Sequence, residues 1–377
     1  MSDSDVIGLA IKLISFDTSG PLGAEEVPAK YLGGLLSSDG FAVRYHTFAP
    51  GRLTLLAEKG LSDEAPPVVL TGHLDTVPLG AGPWRFGPFS GTLSDGKLFG
   101  RGSSDMKGGV AAMVCAARNV FKETAPRGGV RLLFTAAEEP GCLGARQLAE
   151  CGFDVGQASA VIVGEPTSNH PFLGHKGGLY LRVSAAGKAA HSSMPELGDN
   201  AIYKAARAIT RIESFRFNAE RDRLHGLPTL NVGRMSGGEN LNSVPDHAEF
   251  TVDIRTTART GHEATLERLV RELGSEVTVT TLADLPPVST DESAPFAQLV
   301  YAVCGIDAAD ANLPKSLSYV TDGAVLQRLY GGVPTVILGP GEPSQAHRTD
   351  EFCLLDKLEA AVSLYTRILL RIGEVHA

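Results

Sequence analysis

The sequence has 377 residues, of which 43% are hydrophobic, and its formal net charge is −9 at pH 7. This length exceeds what one compact domain usually carries, so two domains are expected. No long basic run is present, which argues against a nucleic-acid partner. No apolar run is long enough to span a bilayer, so no membrane partner is expected either.

The five cysteines are widely spaced and form no CxxC pair. An odd, scattered set predicts neither a disulfide framework nor a thiolate zinc site. The N-terminal stretch MSDSDVIGLAIKLISF carries early acidic residues and does not resemble a signal peptide. We therefore expect a soluble, cytoplasmic enzyme from a reducing compartment.

Apolar residues recur at helical spacing over Val6–Ser15 and Ala29–Leu36, which predicts two N-terminal helices. Strands and helices then alternate along the chain. The predicted segments are a buried helix at Gly108–Val120 and strands at Arg52–Ala57, Val68–Thr71, Gly129–Thr135 and Ala158–Gly164. This alternation indicates an α/β layer with a largely parallel sheet, whose ligands bind just beyond the carboxyl ends of the strands.

The pattern changes after about Gly174. Two amphipathic helices and three strands are predicted there: Ala201–Ile212, Glu263–Leu273, Leu179–Ser184, Thr229–Arg234 and Glu249–Ile254. The α/β pattern resumes from Pro295, with a last buried strand at Thr335–Leu338. The predicted fold class is α/β. A mostly parallel-sheet catalytic domain, residues 1–175 and 289–377, is interrupted by a smaller α+β domain, residues 176–288.

His73 and Asp75 directly follow the predicted strand Val68–Thr71. An extended segment turns both side chains to the same side. Neutral imidazole is a good zinc ligand, and a nearby carboxylate commonly fixes its tautomer. Taken alone, the pair is better explained by a hydrogen-bonded histidine at a strand end.

Asp105 lies in the glycine-rich segment GRGSSDMKGG, directly before the predicted buried helix. Its simplest role there is an N-cap. Glycines and Lys107 at a helix start are also typical of a phosphate loop, but the GxxxxGK[ST] pattern is absent. This segment alone therefore predicts no particular chemistry.

Glu138 and Glu139 follow the predicted strand Gly129–Thr135, and two adjacent carboxylates usually form a solvated turn. Because adjacent residues can point to different sides, one can bind a metal while the other faces the substrate as a general base. Glu165 follows the next predicted strand, and His347 lies in a loop after the last one. Each of these residues alone is a weak signal.

Together, two histidines and three carboxylates lie at strand ends or before a helix: His73, Asp105, Glu139, Glu165 and His347. This mixture is typical of zinc or a related divalent ion. Five protein ligands are too many for one catalytic ion that keeps an open position. They suit two ions about 3.5–4 Å apart that share a bridging carboxylate. A water between such ions has a lowered pKa, and a free carboxylate can take its proton.

The segments GHLDTVP, GRGSSDMKGG, EEPG, GEPTS and AHRTDE, in this order, resemble the metallopeptidase and deacylase family of acetylornithine deacetylase, succinyl-diaminopimelate desuccinylase, aminoacylase and carboxypeptidase G. The resemblance runs from about His73 to Glu351. It implies a zinc-exopeptidase-like catalytic domain with an inserted ferredoxin-like lid and dimerisation domain, and hence a homodimer. It also implies two divalent ions, zinc in the first place, with cobalt or manganese as alternatives.

By the same resemblance, His73 and Glu165 match the private ligands of one ion, and Glu139 and His347 match those of the other. Asp105 matches the bridging carboxylate, and the peptide bond that follows it is cis in relatives.

Two further residues near these ligands match catalytic positions. Glu138 matches the general base and proton shuttle of the family. Asp75 matches the residue that orients the histidine two positions before it.

The inserted domain matches as well. His191, in GKAAHSS, resembles a histidine that in relatives reaches the active site, often from the other subunit, and holds the oxyanion. Without the resemblance, a helix cap is its simpler role. Asn242 and Arg255 match an asparagine near the substrate and an arginine that grips its carboxylate. An ion pair with Asp253 explains Arg255 nearly as well, and Lys176 is a weaker candidate for added positive charge.

The resemblance implies cleavage of the amide bond of an N-acyl amino acid, as in acetylornithine deacetylase or succinyl-diaminopimelate desuccinylase. The alternative is a metallo-exopeptidase of the carboxypeptidase G or dipeptidase type, because the same metal site serves both. The expected partner is thus a small N-acyl amino acid or a short peptide. Ser318–Gly323 departs from the glycine-rich recognition loop of relatives, which leaves this choice open. The complete catalytic set disfavours a non-enzymatic binding protein, and the ligand order disfavours a two-metal phosphatase or nuclease.

Overall fold

The computed structural model describes residues 5–20, 24–308, 310 and 312–375. Within them, the α-helices are α1 Val6–Ile14, α2 Glu26–Ser38, α3 Lys107–Glu123, α4 Leu143–Glu150, α5 Ala201–Glu213, α6 His262–Leu273, α7 Pro295–Cys304, α8 Gly323–Leu329 and α9 Leu355–Arg371. The strands of the same described residues are β1 Ala42–Ala49, β2 Arg52–Lys59, β3 Val68–His73, β4 Thr92–Ser94, β5 Lys97–Phe99, β6 Val130–Thr135, β7 Ala160–Val163, β8 Gly174–His175, β9 Gly177–Ala186, β10 Ala190–His191, β11 Thr229–Gly237, β12 Ser243–Val244, β13 His247–Thr256, β14 Val277–Leu285, β15 Val288–Ser289, β16 Thr335–Ile337 and β17 Phe352–Leu354.

The chain divides into two compact units. The larger unit comprises Met1–Gly174, Ser289–Lys315 and Thr321–Ala377, and the smaller unit comprises His175–Val288 and Ser316–Val320. Among the helices of the described ranges, none combines the length and the apolar character needed to cross a membrane.

The larger unit is built on a six-stranded sheet with the order β1-β2-β6-β3-β7-β16. Strand β3 pairs in parallel with β6 and β7, and β16 pairs in parallel with β7. Strands β1 and β2 add an antiparallel edge. The central strands β3, β6 and β7 are buried along their whole length, as their nearly continuous apolar sequences require. The predicted α/β class with a mostly parallel sheet is confirmed.

Helix α3 begins in the core of the larger unit, where it packs on β3 and against α1 and α9. Its first turn comes close to the loop after β7. A Cβ atom on Gly109 would lie 2.4 Å from the carbonyl oxygen of Gly164, so only glycine permits this approach. The start of α3 and the end of β7 are thereby brought together, and each of them adjoins one of the predicted ligands.

The smaller unit contains a four-stranded antiparallel sheet with the order β11-β13-β9-β14. Along the chain its elements run β9, α5, β11, β13, α6, β14, which is the ferredoxin-like arrangement. Strand β13 alternates between buried and less buried residues, so one face of the sheet is covered. Helices α5 and α6 share a hydrophobic core with this face, which includes Leu181, Phe250, Val252 and Leu269. The predicted α+β class of this unit is confirmed.

Strands β1 and β14 were not predicted from the sequence, and both lie at the edge of a sheet. Their residues alternate between exposed and partly buried environments, with little full burial. Neither strand has the nearly continuous apolar run that marks β3, β6 and β7.

Candidate metal site

The predicted ligand residues come from adjacent elements of the larger unit. His73 ends β3, Glu139 and Glu165 follow β6 and β7, and Asp105 lies just before α3. His347 lies between β16 and β17 in a left-handed conformation with φ of 63°. Because β6, β3 and β7 are parallel neighbours, their carboxyl ends meet at one edge of the sheet. His73, Glu139 and Glu165 therefore lie together, and the loops of Asp105 and His347 bring these two residues beside them.

Two groups of three residues share Asp105. In the first group, His73 Nε2 lies 3.1 Å from Asp105 Oδ1 and 3.9 Å from Glu165 Oε1. In the second group, His347 Nε2 lies 3.4 Å from Asp105 Oδ2 and 3.1 Å from Glu139 Oε2. The carboxylate of Asp105 thus presents one oxygen to each group, which is the arrangement that a bridging ligand requires.

The donor set and its burial fit a pair of cations. The two groups combine imidazole nitrogen with carboxylate oxygen, a mixture suited to zinc and related divalent ions. Glu139 Oε1 is buried and has no hydrogen-bond partner among the described residues. A buried polar atom without a partner is unfavourable, and a bound ion is one of its ordinary explanations.

Asp75 connects the ends of β3 and β6. Its Oδ1 and Oδ2 accept the backbone N–H groups of Glu138 and Glu139, each at 3.0 Å. Nδ1 of His73 lies 2.9 Å from the Asp75 carbonyl oxygen and 3.5 Å from Oδ1. With Nδ1 directed at Asp75, Nε2 of His73 is left to face Asp105. Burial raises the pKa of Asp75, but its contacts with His73 and the two backbone N–H groups outweigh burial and lower the pKa overall.

Glu138 is half-buried and belongs to neither ligand group. Its Oε1 accepts a hydrogen bond from the Cys142 thiol at 3.3 Å. Burial raises the pKa of Glu138 well above the usual range, and the negative charges of Asp322 and Glu139 add to this effect. A bound cation acts in the opposite direction on nearby carboxylates. Glu138 thus lies outside the two groups that share Asp105, whereas its neighbour Glu139 belongs to one of them.

Asp322 lies beside Glu138 and was not predicted as a site residue. It precedes α8 but makes no side-chain cap, and its buried carboxylate accepts a hydrogen bond from Thr135 Oγ1. Burial raises the pKa of Asp322 to about 6. Its carboxylate, Glu138 and the Cys142 thiol offer atoms within 4.8 Å of one another. Asp322 lies in Ser318–Gly323, the segment matched to the recognition loop of relatives, but a single aspartate before a helix is most simply an N-cap, so the sequence did not single it out.

The two simpler explanations of the GRGSSDMKGG segment do not hold. Helix α3 has no side-chain cap, and the carboxylate of Asp105 faces the two histidines instead. Lys107 is buried and donates to the carbonyl oxygen of Phe16 at 2.7 Å, so it is not available as a phosphate ligand. The peptide bond from Asp105 to Met106 is cis.

The other predicted site residues belong to the smaller unit. His191 is exposed, and its Nδ1 lies 2.8 Å from Ser193 Oγ. Asn242 is exposed as well. Arg255 donates from Nη2 to Asp253 Oδ2 at 3.0 Å, which is the ion pair considered as its alternative role. Lys176 donates to a backbone carbonyl oxygen, and partial burial together with the positive charges of two arginines lowers its pKa.

Residues 69–371 match the sequence model of Peptidase family M20/M25/M40. The chain belongs to this family. The predicted resemblance is confirmed, and the chain is a hydrolase of the metallopeptidase and amidohydrolase kind.

Two curated relatives illustrate the range of the M20 family. A Staphylococcus epidermidis protein named "Probable succinyl-diaminopimelate desuccinylase" is 32% identical, over 97% of this chain and 97% of its own length. An acetylornithine deacetylase of Vibrio cholerae is 31% identical, over 92% of this chain and 91% of its own length.

Solved structures of M20 proteins share the fold. A metallo-carboxypeptidase from Sulfolobus solfataricus has a TM-score of 0.80 at 19% identity, covering 98% of this chain and 99% of that chain. A Bacillus subtilis protein described as a dinuclear metal binding peptidase has a TM-score of 0.69 at 17% identity, covering 99% of both chains.

The Asp75 contacts generate a prediction about metal affinity. In Asp75→Asn, an amide NH₂ replaces one of the oxygens that accept backbone N–H groups, and His73 loses its charged neighbour. We expect the affinity for zinc to fall about 10- to 100-fold, which is typical when the residue behind a metal ligand is changed. Competition with a chromogenic chelator measures this affinity.

Asp95→Asn is the matched control, because Asp95 is an exposed aspartate of the same unit whose carboxylate accepts a hydrogen bond from the neighbouring Ser94. Its zinc affinity should equal that of the wild type. An unchanged affinity in Asp75→Asn would show that Asp75 does not orient a ligand.

Proposed function

We propose that this M20 hydrolase uses two divalent ions to cleave the amide bond of an N-acyl amino acid, in the manner of an acetylornithine deacetylase or succinyl-diaminopimelate desuccinylase. One observation carries the two-ion proposal: Asp105 Oδ1 lies 3.1 Å from His73 Nε2, and Asp105 Oδ2 lies 3.4 Å from His347 Nε2. The names of the curated relatives at 31–32% identity support the choice of an acyl amino acid as substrate.

In this proposal His73 and Glu165 hold one ion, Glu139 and His347 hold the other, and Asp105 is shared. When bound, the ions would polarise the scissile carbonyl and make a water molecule more acidic. The donor set favours zinc, with cobalt and manganese as alternatives.

Glu138 acts as the proton carrier of the proposed reaction. It lies three residues beyond the end of β6 and next to Glu139, yet it belongs to neither of the two groups that share Asp105. As general base it takes the proton of the attacking water, and as general acid it returns that proton to the leaving amine. Asp75 contributes by holding the backbone of both Glu138 and Glu139 and by orienting His73.

The smaller unit supplies the remaining residues of the proposal. By the family resemblance, His191 stabilises the oxyanion, and it does so from the partner subunit of a homodimer. Asn242, Arg255 and Lys176 bind the substrate. Because Arg255 is paired with Asp253, a substrate carboxylate would replace Asp253 as the partner of the guanidinium. The scattered, odd set of cysteines supports a cytoplasmic location.

The role of Glu138 predicts the outcome of an isosteric substitution. In Glu138→Gln, the side chain keeps its size but cannot accept a proton, so turnover should fall about 100- to 10,000-fold. Because neither ligand group includes this residue, the metal content should stay at the wild-type value. Release of the free amine measures turnover, and elemental analysis measures the metal.

Glu150→Gln serves as the control, since Glu150 is an exposed glutamate at the end of α4. It should keep full activity. Near-normal turnover in Glu138→Gln would remove Glu138 from the mechanism, and loss of metal in that variant would make it a ligand instead.

The substrate class is tested by a panel of compounds. N-acetyl and N-succinyl amino acids are compared with dipeptides at equal concentration, using the zinc-loaded protein. We expect an N-acyl amino acid to have the highest kcat/KM, because the binding of a specific acyl group is expressed in this ratio. Preference for dipeptides would establish the metallo-exopeptidase alternative.

Mixing of two inactive variants tests whether His191 acts from the partner subunit. Preparations of His191→Ala and Glu138→Gln are mixed, denatured and refolded together. If the homodimer combines residues from both chains, mixed dimers contain one complete site, and about a quarter of the wild-type activity should return. No recovery would indicate that His191 and Glu138 act within one chain, whereas a His191→Ala preparation that is active before mixing would show that His191 has no catalytic role.

A further inference from the structure

A buried ion pair, Arg101–Glu351, joins the two loops that carry Asp105 and His347. The side chains are 1% and 0% exposed, and Nη1 of the arginine lies 2.8 Å from Oε2 of the glutamate. Neither residue belongs to a ligand group. Both nevertheless occur in the segments GRGSSDMKGG and AHRTDE, within a few residues of a candidate ligand.

The carboxylate of Glu351 accepts a row of backbone N–H groups from the loop before α3. Its Oε1 accepts from Ser104 at 2.8 Å and from Asp105 at 3.0 Å. Its Oε2 accepts from Gly102 at 3.0 Å, in addition to the guanidinium of Arg101. A carboxylate with several N–H donors forms strong, charge-assisted hydrogen bonds. The backbone of Asp105 is therefore fixed directly by Glu351.

The guanidinium of Arg101 reaches the loop of His347. Nη1 donates to the carbonyl oxygen of Arg348, the residue after His347, at 3.1 Å, and Nη2 donates to that of Pro78 at 3.1 Å. His347 itself has a φ of 63°, a conformation that residues other than glycine rarely adopt. Such a backbone persists only when the surrounding structure holds it. Arg101 and Glu351 supply contacts of this kind on the C-terminal side of His347.

We propose that Arg101 and Glu351 are a positioning pair that sets the affinity of the ion held by Asp105, Glu139 and His347. The pair contacts the backbone N–H of Asp105 and the carbonyl oxygen of Arg348, next to His347. It therefore reaches two of these three proposed ligands. The group of His73, Asp105 and Glu165 contains only one of these two residues, Asp105. Loss of the pair therefore weakens the Glu139–His347 ion more than the His73–Glu165 ion. This inference rests on the proposed two-ion function.

Zinc titration of the metal-free full chain tests the proposal. Isothermal titration calorimetry of the wild type and Glu351→Gln gives two dissociation constants for each protein. Glutamine keeps the size of the side chain, but it places an amide NH₂ before the N–H donors and leaves Arg101 without its opposite charge. We expect one constant to rise about 10- to 100-fold and the other to rise less.

The background variant His347→Ala identifies which ion is affected. It removes a ligand of one group only, so the tighter constant that remains reports the His73–Glu165 ion. In this background, Glu351→Gln should change zinc affinity less than it does in the wild type, which a double-mutant cycle expresses as a coupling. An equal effect in both backgrounds would mean that the pair does not act through the His347 group.

Asp350→Asn is the matched control for charge and position. Asp350 precedes Glu351, but its Oδ1 accepts from the backbone of Arg85. Asparagine tolerates the φ of 58° at this position, so the zinc constants should stay at their wild-type values.

If Glu351→Gln does not fold, Arg101→Lys takes its place, because lysine keeps the positive charge but loses the planar guanidinium. We expect the same order of effects on the two zinc constants.

The outcomes separate the two proposals. A wild-type chain that binds fewer than two zinc ions overturns the proposed function. A wild type with two ions and a folded variant with unchanged zinc constants overturns the positioning role alone. A merely structural role would lower the Tm of the metal-free variant and leave the zinc constants of its folded state unaltered.

Discussion

The carboxylate of Asp105 faces a different histidine with each of its oxygens, and the surrounding structure depends on keeping it there. His73 approaches one oxygen, and His347 approaches the other. Glu139 and Glu165 complete the two groups, so several negative charges crowd a largely buried region. Like charges in such surroundings are unfavourable unless cations or hydrogen bonds compensate them. A cluster of buried carboxylates that is unfavourable by itself is therefore well suited to binding divalent ions.

The backbone of the fold holds the candidate ligands in place. His73, Glu139 and Glu165 lie at one end of the sheet because the strands that precede them are parallel. Gly109 allows the start of α3 to lie close to the end of β7. Behind the candidate ligands, Asp75 accepts the N–H groups of Glu138 and Glu139, while Glu351 accepts those of the Asp105 loop. The candidate ligands His73, Glu139 and Asp105 are thus held by buried acidic neighbours, which lowers the freedom that a bound ion would otherwise have to restrict.

The two units differ in how much their geometry says about function. In the larger unit, the candidate ligand atoms of each group lie within 4.8 Å of one another, so the proposal of a metal site rests on distances. In the smaller unit, His191 and Asn242 are exposed on short segments, and Arg255 is occupied by Asp253. The roles proposed for these residues depend on contacts with a bound substrate, which the geometry of the smaller unit by itself does not supply.

The sequence by itself determined the α/β and α+β classes and the set of candidate ligands, because buried strands and the residues after them leave local patterns. It left each motif ambiguous, since an N-cap or a solvated turn requires the same residues. Only the tertiary structure decided that Asp105 turns away from α3, and that Asp322 and Glu351 lie at the site. Asp322 contacts a residue 187 positions away, and Glu351 contacts one 246 positions away. Contacts at such separations follow from how the sheet and loops pack, and they leave no periodicity in the sequence.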